Sequence, residues 1–252
     1  LYRAAQEGHE AAVRALIEAG ADVNKARDSS VTPLYVGACN GHEAVVKALI
    51  EAGVDVNKAR DDGVTPLFIA ARNGHELAVK ALIEGGADVN NADDDGATPL
   101  HAAARNGHIA VIQLLIDAGA KCNKADDDGA TPLHAAARNG HIAVIQLLTD
   151  AGAKCNNADD DGRTPLYMAA STGHEAMVKA LIDAGADVNK ADDDGRTPLY
   201  VAAEEGDEAV AKALIEGGAD VNKGDDDGES PLYIAAQEGH EAVAKALIEA
   251  GA

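Results

Sequence analysis

The chain has 252 residues, of which 46% are hydrophobic, but no Trp, one Phe and five Tyr, so alanine and small aliphatic side chains must form most of any core. Its formal net charge of −22 argues against nucleic acid and anionic membranes as partners, because both carry negative phosphate groups. No apolar run reaches the roughly 18 residues that a membrane-spanning helix needs, and the opening LYRAAQEGHE lacks the features of a secretory signal.

A constant step of 33 residues organises the sequence. It links the seven prolines Pro33, Pro66, Pro99, Pro132, Pro165, Pro198 and Pro231, and glycines and asparagines recur at the same step. Such self-similarity is the signature of a repeat architecture. We therefore predict one array over 1–252, in units 1–26, 27–59, 60–92, 93–125, 126–158, 159–191, 192–224 and 225–252.

Each unit predicts the same elements in the same order, as residues 61–91 illustrate. Thr65 is a favourable N-cap and Pro66 suits the first position of a short helix, which then ends at Gly74. A longer helix follows over ELAVKALIE and ends at Gly85. The polar stretch ADVNNADDDG then predicts a turn. Neither helix can bury its apolar stripe alone, so eight such pairs are expected to stack.

The segment DDDGATPLHAAARNGHIAVIQLLIDAGAKCN at 93–123 resembles an ankyrin repeat, and the resemblance covers essentially the whole chain. It implies an all-α ankyrin-repeat solenoid of about eight stacked helix-turn-helix units, with β-turn fingers and first helices forming a concave face. A tetratricopeptide array is the nearest alternative, but its period of 34 and its expected Trp do not fit. Ser30 replaces the turn glycine and Gly37 replaces an alanine, so we expect the unit at 27–59 to be looser. Asp207 stands where the pattern has His.

Metal and catalytic chemistry are not expected. NADDDG at 91–96 and 157–162 resembles the start of a calcium loop, but the twelfth positions are Ala102 and Met168 rather than the Glu that such a loop requires. No nucleophile recurs beside the nine histidines with an orienting acid, so no triad can be assembled. We predict no enzyme activity, no cofactor and no metal. Two of the three cysteines, Cys122 and Cys155, replace valine in the core. The odd, unpaired number of cysteines favours a reducing compartment, and an intracellular, cytoplasmic location is expected.

Candidate partner-binding residues come from the ends of the first helices and from the fingers, where the resemblance implies contacts. At the helix ends they are Arg72, Asn73, Arg105, Asn106, Arg138, Asn139, Glu204 and Glu205; in the fingers they are Asp94, Asp127, Asp160, Arg163 and Arg196. The central part of this face is thus predicted to pair cationic helix ends with acidic tips. The alternative stays open that these are solvated positions, with the acids favouring helix N-termini and solubility.

We therefore expect a non-enzymatic scaffold that binds another protein, one with a basic or a repetitive surface, and neither nucleic acid nor membrane. The alternative is a structural spacer or spring segment of a larger ankyrin protein, or an engineered array, without a dedicated partner. The units 92–124 and 125–157 differ only at Ile116/Thr149 and Lys124/Asn157, which favours recent duplication or engineering. A monomer is expected, cut from a longer array, with end-to-end stacking through uncapped termini as an alternative.

Overall fold

The computed structural model describes residues 1–252 as sixteen α-helices and one short 3₁₀ turn (Asp28–Ser30), with no strand. The chain forms two compact units, Leu1–Asp127 and Asp128–Ala252. Each unit contains four helical hairpins, in which a short first helix is followed by a nine-residue second helix. The all-α prediction of repeated helix-turn-helix units is confirmed.

The helices of unit Leu1–Asp127 alternate between first and second helices. The first helices are α1 (Tyr2–Gln6), α3 (Pro33–Cys39), α5 (Pro66–Arg72) and α7 (Pro99–Asn106). The second helices are α2 (Glu10–Glu18), α4 (Glu43–Glu51), α6 (Glu76–Glu84) and α8 (Ile109–Asp117).

The unit Asp128–Ala252 repeats this order. Its first helices are α9 (Pro132–Arg138), α11 (Pro165–Ser171), α13 (Pro198–Glu205) and α15 (Pro231–Glu238). Its second helices are α10 (Ile142–Asp150), α12 (Glu175–Asp183), α14 (Glu208–Glu216) and α16 (Glu241–Glu249).

The first helices begin and end where local chemistry dictates. Thr65 lies in an extended conformation before α5, its Oγ1 accepts a hydrogen bond from the Phe68 N–H, and Pro66 occupies the first turn. This arrangement satisfies one of the N–H groups that a helix start leaves unpaired. Gly74 then turns the chain with φ +74°, a left-handed conformation that a side chain disfavours.

Within each unit, first helices pack on first helices and second helices on second helices, which gives two layers of helix. Leucines that follow the prolines fill the space between the layers: Leu34, Leu67 and Leu100 in one unit, and Leu133, Leu166 and Leu199 in the other, are at most 1% exposed. Neighbouring hairpins are also joined by side chains that accept backbone N–H groups. Asn57 Oδ1 accepts the Asp88 N–H at 2.9 Å, which gives the periodic asparagine a structural role.

The hairpin within 27–59 departs from its neighbours at both predicted positions. Ser29 and Ser30 have φ of 57° and 60°, a region that residues with a side chain rarely occupy. The Ser30 hydroxyl donates to Asp61 Oδ1 at 2.5 Å, which offsets part of that cost. Gly37 lies inside α3, where glycine weakens a helix. The expected looseness of this hairpin thus has two identified physical sources.

Exposed ion pairs run along the second helices, for example Lys47 with Glu43 at 2.6 Å and Lys179 with Glu175 at 2.5 Å. Because solvent screens pairs of this kind, four residues apart on a helix, each of them stabilises its helix only weakly. None of the helices has the length and apolar character to cross a bilayer.

Candidate partner-binding surface

The finger before α11 (residues 159–163) is organised by the aspartate at its start, and so is the finger before α13 (residues 192–196). Asp159 is buried, and its Oδ1 accepts the backbone N–H groups of Asp161 at 3.1 Å and Arg163 at 2.8 Å. Asp192 does the same for Asp194 and Arg196. The carboxylates therefore hold the finger backbone in its turn, and they belong to the framework of the surface.

The finger tips of neighbouring hairpins are joined through their backbones. The N–H of Asp94 donates to the Asp62 carbonyl at 3.1 Å, and the N–H of Asp193 donates to the Asp161 carbonyl at 3.0 Å. The tip carboxylates lie over the glycine of the preceding finger: a Cβ on Gly162 would come within 2.4 Å of Asp193 Oδ1. Glycine at this position therefore allows the close approach of consecutive fingers.

The predicted tip acids share these backbone links and remain accessible. Asp94, Asp127 and Asp160 are all exposed, and each N–H donates to the preceding finger within its own unit, at 3.0–3.1 Å. They can meet a partner without any change in the fingers.

At the ends of the first helices, the structure separates the predicted arginines from the asparagines. Arg72, Arg105 and Arg138 are exposed. The amides of Asn106 and Asn139 each donate to a helix carbonyl four residues earlier, at 2.8 Å. These asparagines thus satisfy the end of their own helix.

Asn73 reaches further, because its amide donates to the carbonyl of Cys39 in the preceding hairpin at 2.9 Å. At the corresponding positions of α13, Glu204 is half-buried and Glu205 is exposed.

Four of the histidines that follow a helix-ending glycine, His42 among them, link neighbouring hairpins through a backbone carbonyl. His75 Nε2 lies 2.9 Å from the Cys39 carbonyl, His108 Nε2 lies 3.0 Å from the Arg72 carbonyl, and His240 Nε2 lies 2.9 Å from the Glu204 carbonyl. Asp207, which replaces this histidine, instead caps its own helix by accepting the Val210 N–H at 3.0 Å.

His101 and His134, the histidines of the two TPLH segments, stabilise the starts of their own helices. Thr98 and His101 form a capping box at the start of α7, and the Thr98 N–H donates to His101 Nδ1 at 3.0 Å. His134 repeats the box and also places its Nε2 3.0 Å from the Arg163 carbonyl of the next finger. These histidines are framework residues.

Both finger arginines are paired within their own finger. Arg163 Nε lies 3.0 Å from Asp159 Oδ2, and its Nη2 pairs with Asp161. Arg196 pairs in the same way with Asp192 at 3.2 Å and with Asp194 at 2.7 Å. They present guanidinium groups whose charge is largely compensated.

Tyrosines lie beneath these fingers. Burial raises the pKa of Tyr167 well above its ordinary value, and a hydrogen bond to the Asp192 carboxylate adds a smaller increase. Burial and the charge of Asp225 raise the pKa of Tyr200 to about 12. Both phenols stay protonated at neutral pH and donate to the fingers above them.

A cleft of about 660 Å³ opens on this face in the unit Asp128–Ala252. It brings together three of the predicted residues, Arg138, Arg163 and Arg196. Its remaining lining comes from α11 and from two fingers: Tyr167, Met168, Ser171, Asp161, Asp192, Asp193 and Asp194. The predicted Asn139, Asp160, Glu204 and Glu205 lie outside this lining.

Residues of α11 in the cleft were missed by the sequence analysis, although a signal was present. Ser171 occupies the position in α11 that arginine occupies in the three preceding first helices, as Arg72, Arg105 and Arg138 at steps of 33. A short side chain in a series of long ones indicates an opening in the surface.

The cysteines and potential metal ligands are distributed as follows. Cys122 and Cys155 are buried free thiols, as predicted for valine replacements, and burial raises the pKa of both. Cys39 is half-buried. No group of three or more His, Cys, Asp or Glu side chains is arranged to hold a metal ion.

Hairpins that stack in two helical layers and project linked fingers on one face define a helical repeat protein. The family profile described as ankyrin repeats (3 copies) matches residues 1–60, 52–126, 119–192 and 184–252. The chain therefore belongs to the ankyrin repeat family.

A solved structure supports the same assignment. The human ASB11 ankyrin repeat domain is 32% identical in sequence, with a TM-score of 0.80 over 88% of this chain and 98% of that one. A search among curated proteins gave no match. Ankyrin repeats are generally protein–protein interaction modules, and their fold is typically a non-enzymatic scaffold.

Proposed function

We propose that this chain is a non-enzymatic scaffold that binds a partner protein on the face formed by its fingers and the ends of its first helices. The observation that carries the proposal is that the finger face exposes predicted charged side chains that the fold leaves outside ion pairs. The finger arginines Arg60, Arg163 and Arg196 are paired within their own fingers. On the finger face, Arg72, Asp94 and Asp160 are exposed, and no ion pair within the chain includes them.

The proposed contact residues fall on both units. In Leu1–Asp127 they are the exposed arginines and tip acids, with Asn73 and Asn106 beside them. In Asp128–Ala252 they are the three arginines of the cleft, with Asn139, Asp160, Glu204 and Glu205 around it. A partner with a basic or a repetitive surface fits best, because acids predominate at the finger tips and the chain carries a net charge of −22. Such complementarity chiefly sets specificity and the rate of association.

The test uses the full chain as bait for a randomised peptide library displayed on phage, followed by affinity measurement at low and at physiological salt. We expect a binder whose affinity falls with salt, since exposed charges more than about 10 Å apart are largely screened at 0.1 M. Asp94→Lys should weaken the binding of that ligand at least about tenfold, or 1.4 kcal/mol, because it places a positive charge against a basic partner. Asp117→Lys is the matched control, because it makes the same charge change at an exposed position on α8, the second helix of the same hairpin.

Two results would contradict the proposal. A binder that Asp117→Lys abolishes and Asp94→Lys leaves intact would place the partner on the other helical layer. A library that yields no salt-sensitive binder would favour the spacer alternative, which the near identity of 92–124 and 125–157 supports.

We also propose a cytoplasmic location for this chain. The cytoplasmic location is supported by three free thiols, the state that a reducing compartment maintains. A single array over 1–252 with the eight predicted repeat boundaries, a monomeric state and end-to-end stacking stay predictions.

A further inference from the structure

The cleft over α11 exists because three positions differ from those of the preceding hairpin. Ser171 replaces Arg138, Met168 replaces Ala135 and Arg163 replaces Ala130, each 33 residues on. The short serine leaves open the space that an arginine would fill, while Met168 supplies a thioether floor. At about 660 Å³, the opening is in the range of about 300–1,000 Å³ that is usual for binding pockets.

Net charge does not select the occupant of this cleft. Its lining carries three arginines and four aspartates. Arg163 and Arg196 form four ion pairs inside their fingers, three of them with aspartates of the lining. A lysine side chain entering the cleft would meet guanidinium groups, and a carboxylate would meet the finger acids. Neither gains a clear Coulombic advantage.

The arrangement of the arginines does favour a neutral, flat occupant. The ion pairs of Arg163 and Arg196 use N–H donors, which lie in the guanidinium plane, and so leave the faces of that plane for stacking. Arg138 places its Nη2 3.4 Å from the Met168 sulfur, so a cation and a thioether adjoin at the floor. An aromatic ring attracts cations to its face, carboxylates to its edge and sulfur to its rim.

The same chain already uses this packing elsewhere. The guanidinium of Arg27 lies over the Tyr2 ring at 5.1 Å from the centroid, and that of Arg60 lies over the Tyr35 ring at 5.4 Å. In both cases, a finger arginine covers a ring presented by a first helix. In the cleft over α11, arginines from two fingers and one helix end adjoin an open space instead.

We propose that the cleft over α11 receives one aromatic side chain of the partner, held between the arginines and the Met168 thioether. The proposal rests on the proposed function for the existence of a partner and adds the chemistry of its anchor. Buried aromatic side chains are the commonest residues to dominate protein interfaces. The anchor gives specificity that the periodic charges of the array do not.

The experiment observes Met168 directly. The chain has only two methionines and no Trp, so a ¹³C-methyl methionine spectrum has two signals and an indole probe adds no overlap with protein fluorescence. Met168 is in the cleft, whereas Met177 is 1% exposed in α12. The full chain is titrated with N-acetyl-tryptophanamide, and in parallel with N-acetyl-lysinamide and N-acetyl-glutamic acid amide.

We expect the tryptophan probe to shift the Met168 methyl signal in a saturable way and to leave Met177 unmoved. Ser171→Arg should abolish the shift by filling the cleft with the residue that α9 carries, and Ser171→Ala should preserve it. Arg138→Ala should weaken probe binding about two- to fivefold, the size of an exposed cation–π contact. Arg72→Ala, in the other unit, should have no effect. An unchanged Met177 signal shows that each variant is folded.

An equal or larger Met168 shift with the lysine or glutamate probe would overturn the proposal, and so would an unchanged shift in Ser171→Arg or no shift at all. Failure here is distinguishable from failure of the proposed function. A library-selected binder that needs Asp94 but tolerates Ser171→Arg would keep the function and remove the anchor. A saturable Met168 shift, together with a library that yields no salt-sensitive binder, would keep the aromatic site and remove the proposed scaffold function.

Discussion

Gly37 offers a direct test of how the hairpins hold together. It lies inside α3, and a Cβ at this position would meet Val45 Cγ1 at 3.2 Å and the Ala5 carbonyl at 3.9 Å. Four other hairpins already contain this alanine and valine together: Ala103 with Val111, Ala136 with Val144, Ala202 with Val210, and Ala235 with Val243. All eight of those residues are at most 1% exposed, so the packed geometry accepts the extra methyl group.

Gly37→Ala should therefore raise the free energy of unfolding. Alanine is favoured over glycine in a helix by about 0.8–1.0 kcal/mol, and burial of one methyl group adds about 0.8 kcal/mol. A small displacement of Val45 from the 3.2 Å contact offsets part of this gain. We expect a net stabilisation of about 1 kcal/mol, measured by urea unfolding of the full chain and by slower amide exchange in α3.

Gly74→Ala is the matched control, because the same substitution should act in the opposite direction. Gly74 has φ +74°, and its Cβ would come within 2.6 Å of His108 Nδ1. The left-handed conformation costs about 1–2 kcal/mol for a residue with a side chain, and displacement of His108 would break its bond to the Arg72 carbonyl. If both substitutions changed stability in the same direction, the assignment of these glycines to packing and to turn geometry would be refuted.

Three further outcomes follow from the contacts. Arg60 Nε is buried without a hydrogen-bond partner, but the same guanidinium pairs with Asp62 and lies over the Tyr35 ring. Arg60→Asp, which restores the residue of the later fingers, removes the unpaired group and these contacts together, so the free energy of unfolding should change by less than about 1 kcal/mol; a larger loss in urea unfolding would show that the contacts outweigh the unpaired group. The pKa of Tyr167 is higher in the folded than in the unfolded chain. The protonated phenol therefore adds to the free energy of unfolding in full below the unfolded pKa of about 10, and this contribution is lost as pH rises above it. Tyr167→Phe should flatten the alkaline fall in the urea midpoint, and an equally steep fall would refute that origin. His240→Ala should lower the free energy of unfolding by about 1 kcal/mol, because it removes a hydrogen bond to the preceding hairpin. His174→Ala should lower it less, because the His174 ring makes no hydrogen bond. Equal losses in the two variants would show that the His240 bond contributes nothing to stability.

The elements whose signals are local could be predicted from the sequence. Thr65, Pro66 and Gly74 define the start and end of α5 through their own backbone preferences, and the structure places them as expected. The burial of Cys122 and Cys155 also followed from the valine pattern. These features depend on contacts within one hairpin, and the 33-residue period extends the same prediction to the other hairpins.

The sequence could not show which polar side chains are free to contact a partner, because that depends on contacts in three dimensions. Asn73 looks like a free polar residue in the sequence, yet its amide donates to Cys39 of the neighbouring hairpin. Arg163 looks like an unpaired cation, yet the turn of the finger brings Asp159 and Asp161 onto it. The opening beside Ser171 depends on side chains from α9, α11 and two fingers.

The periodic polar residues belong to the framework, and this directs attention to the positions that break the period. The recurring Asn, the histidine after the turn glycine and the first finger aspartate hold neighbouring hairpins or fingers in place through Asn57, His108 and Asp159. A partner cannot take these groups without loosening the stack. Affinity must then come from exposed residues that these bonds leave available, such as Arg72 and Asp94. Among the positions that break the period, Ser171 does the most to change the surface, since it removes a side chain that three preceding helices retain. If the array acts on a partner, its specificity is expected at that departure from the repeat and not in the identical copies before it.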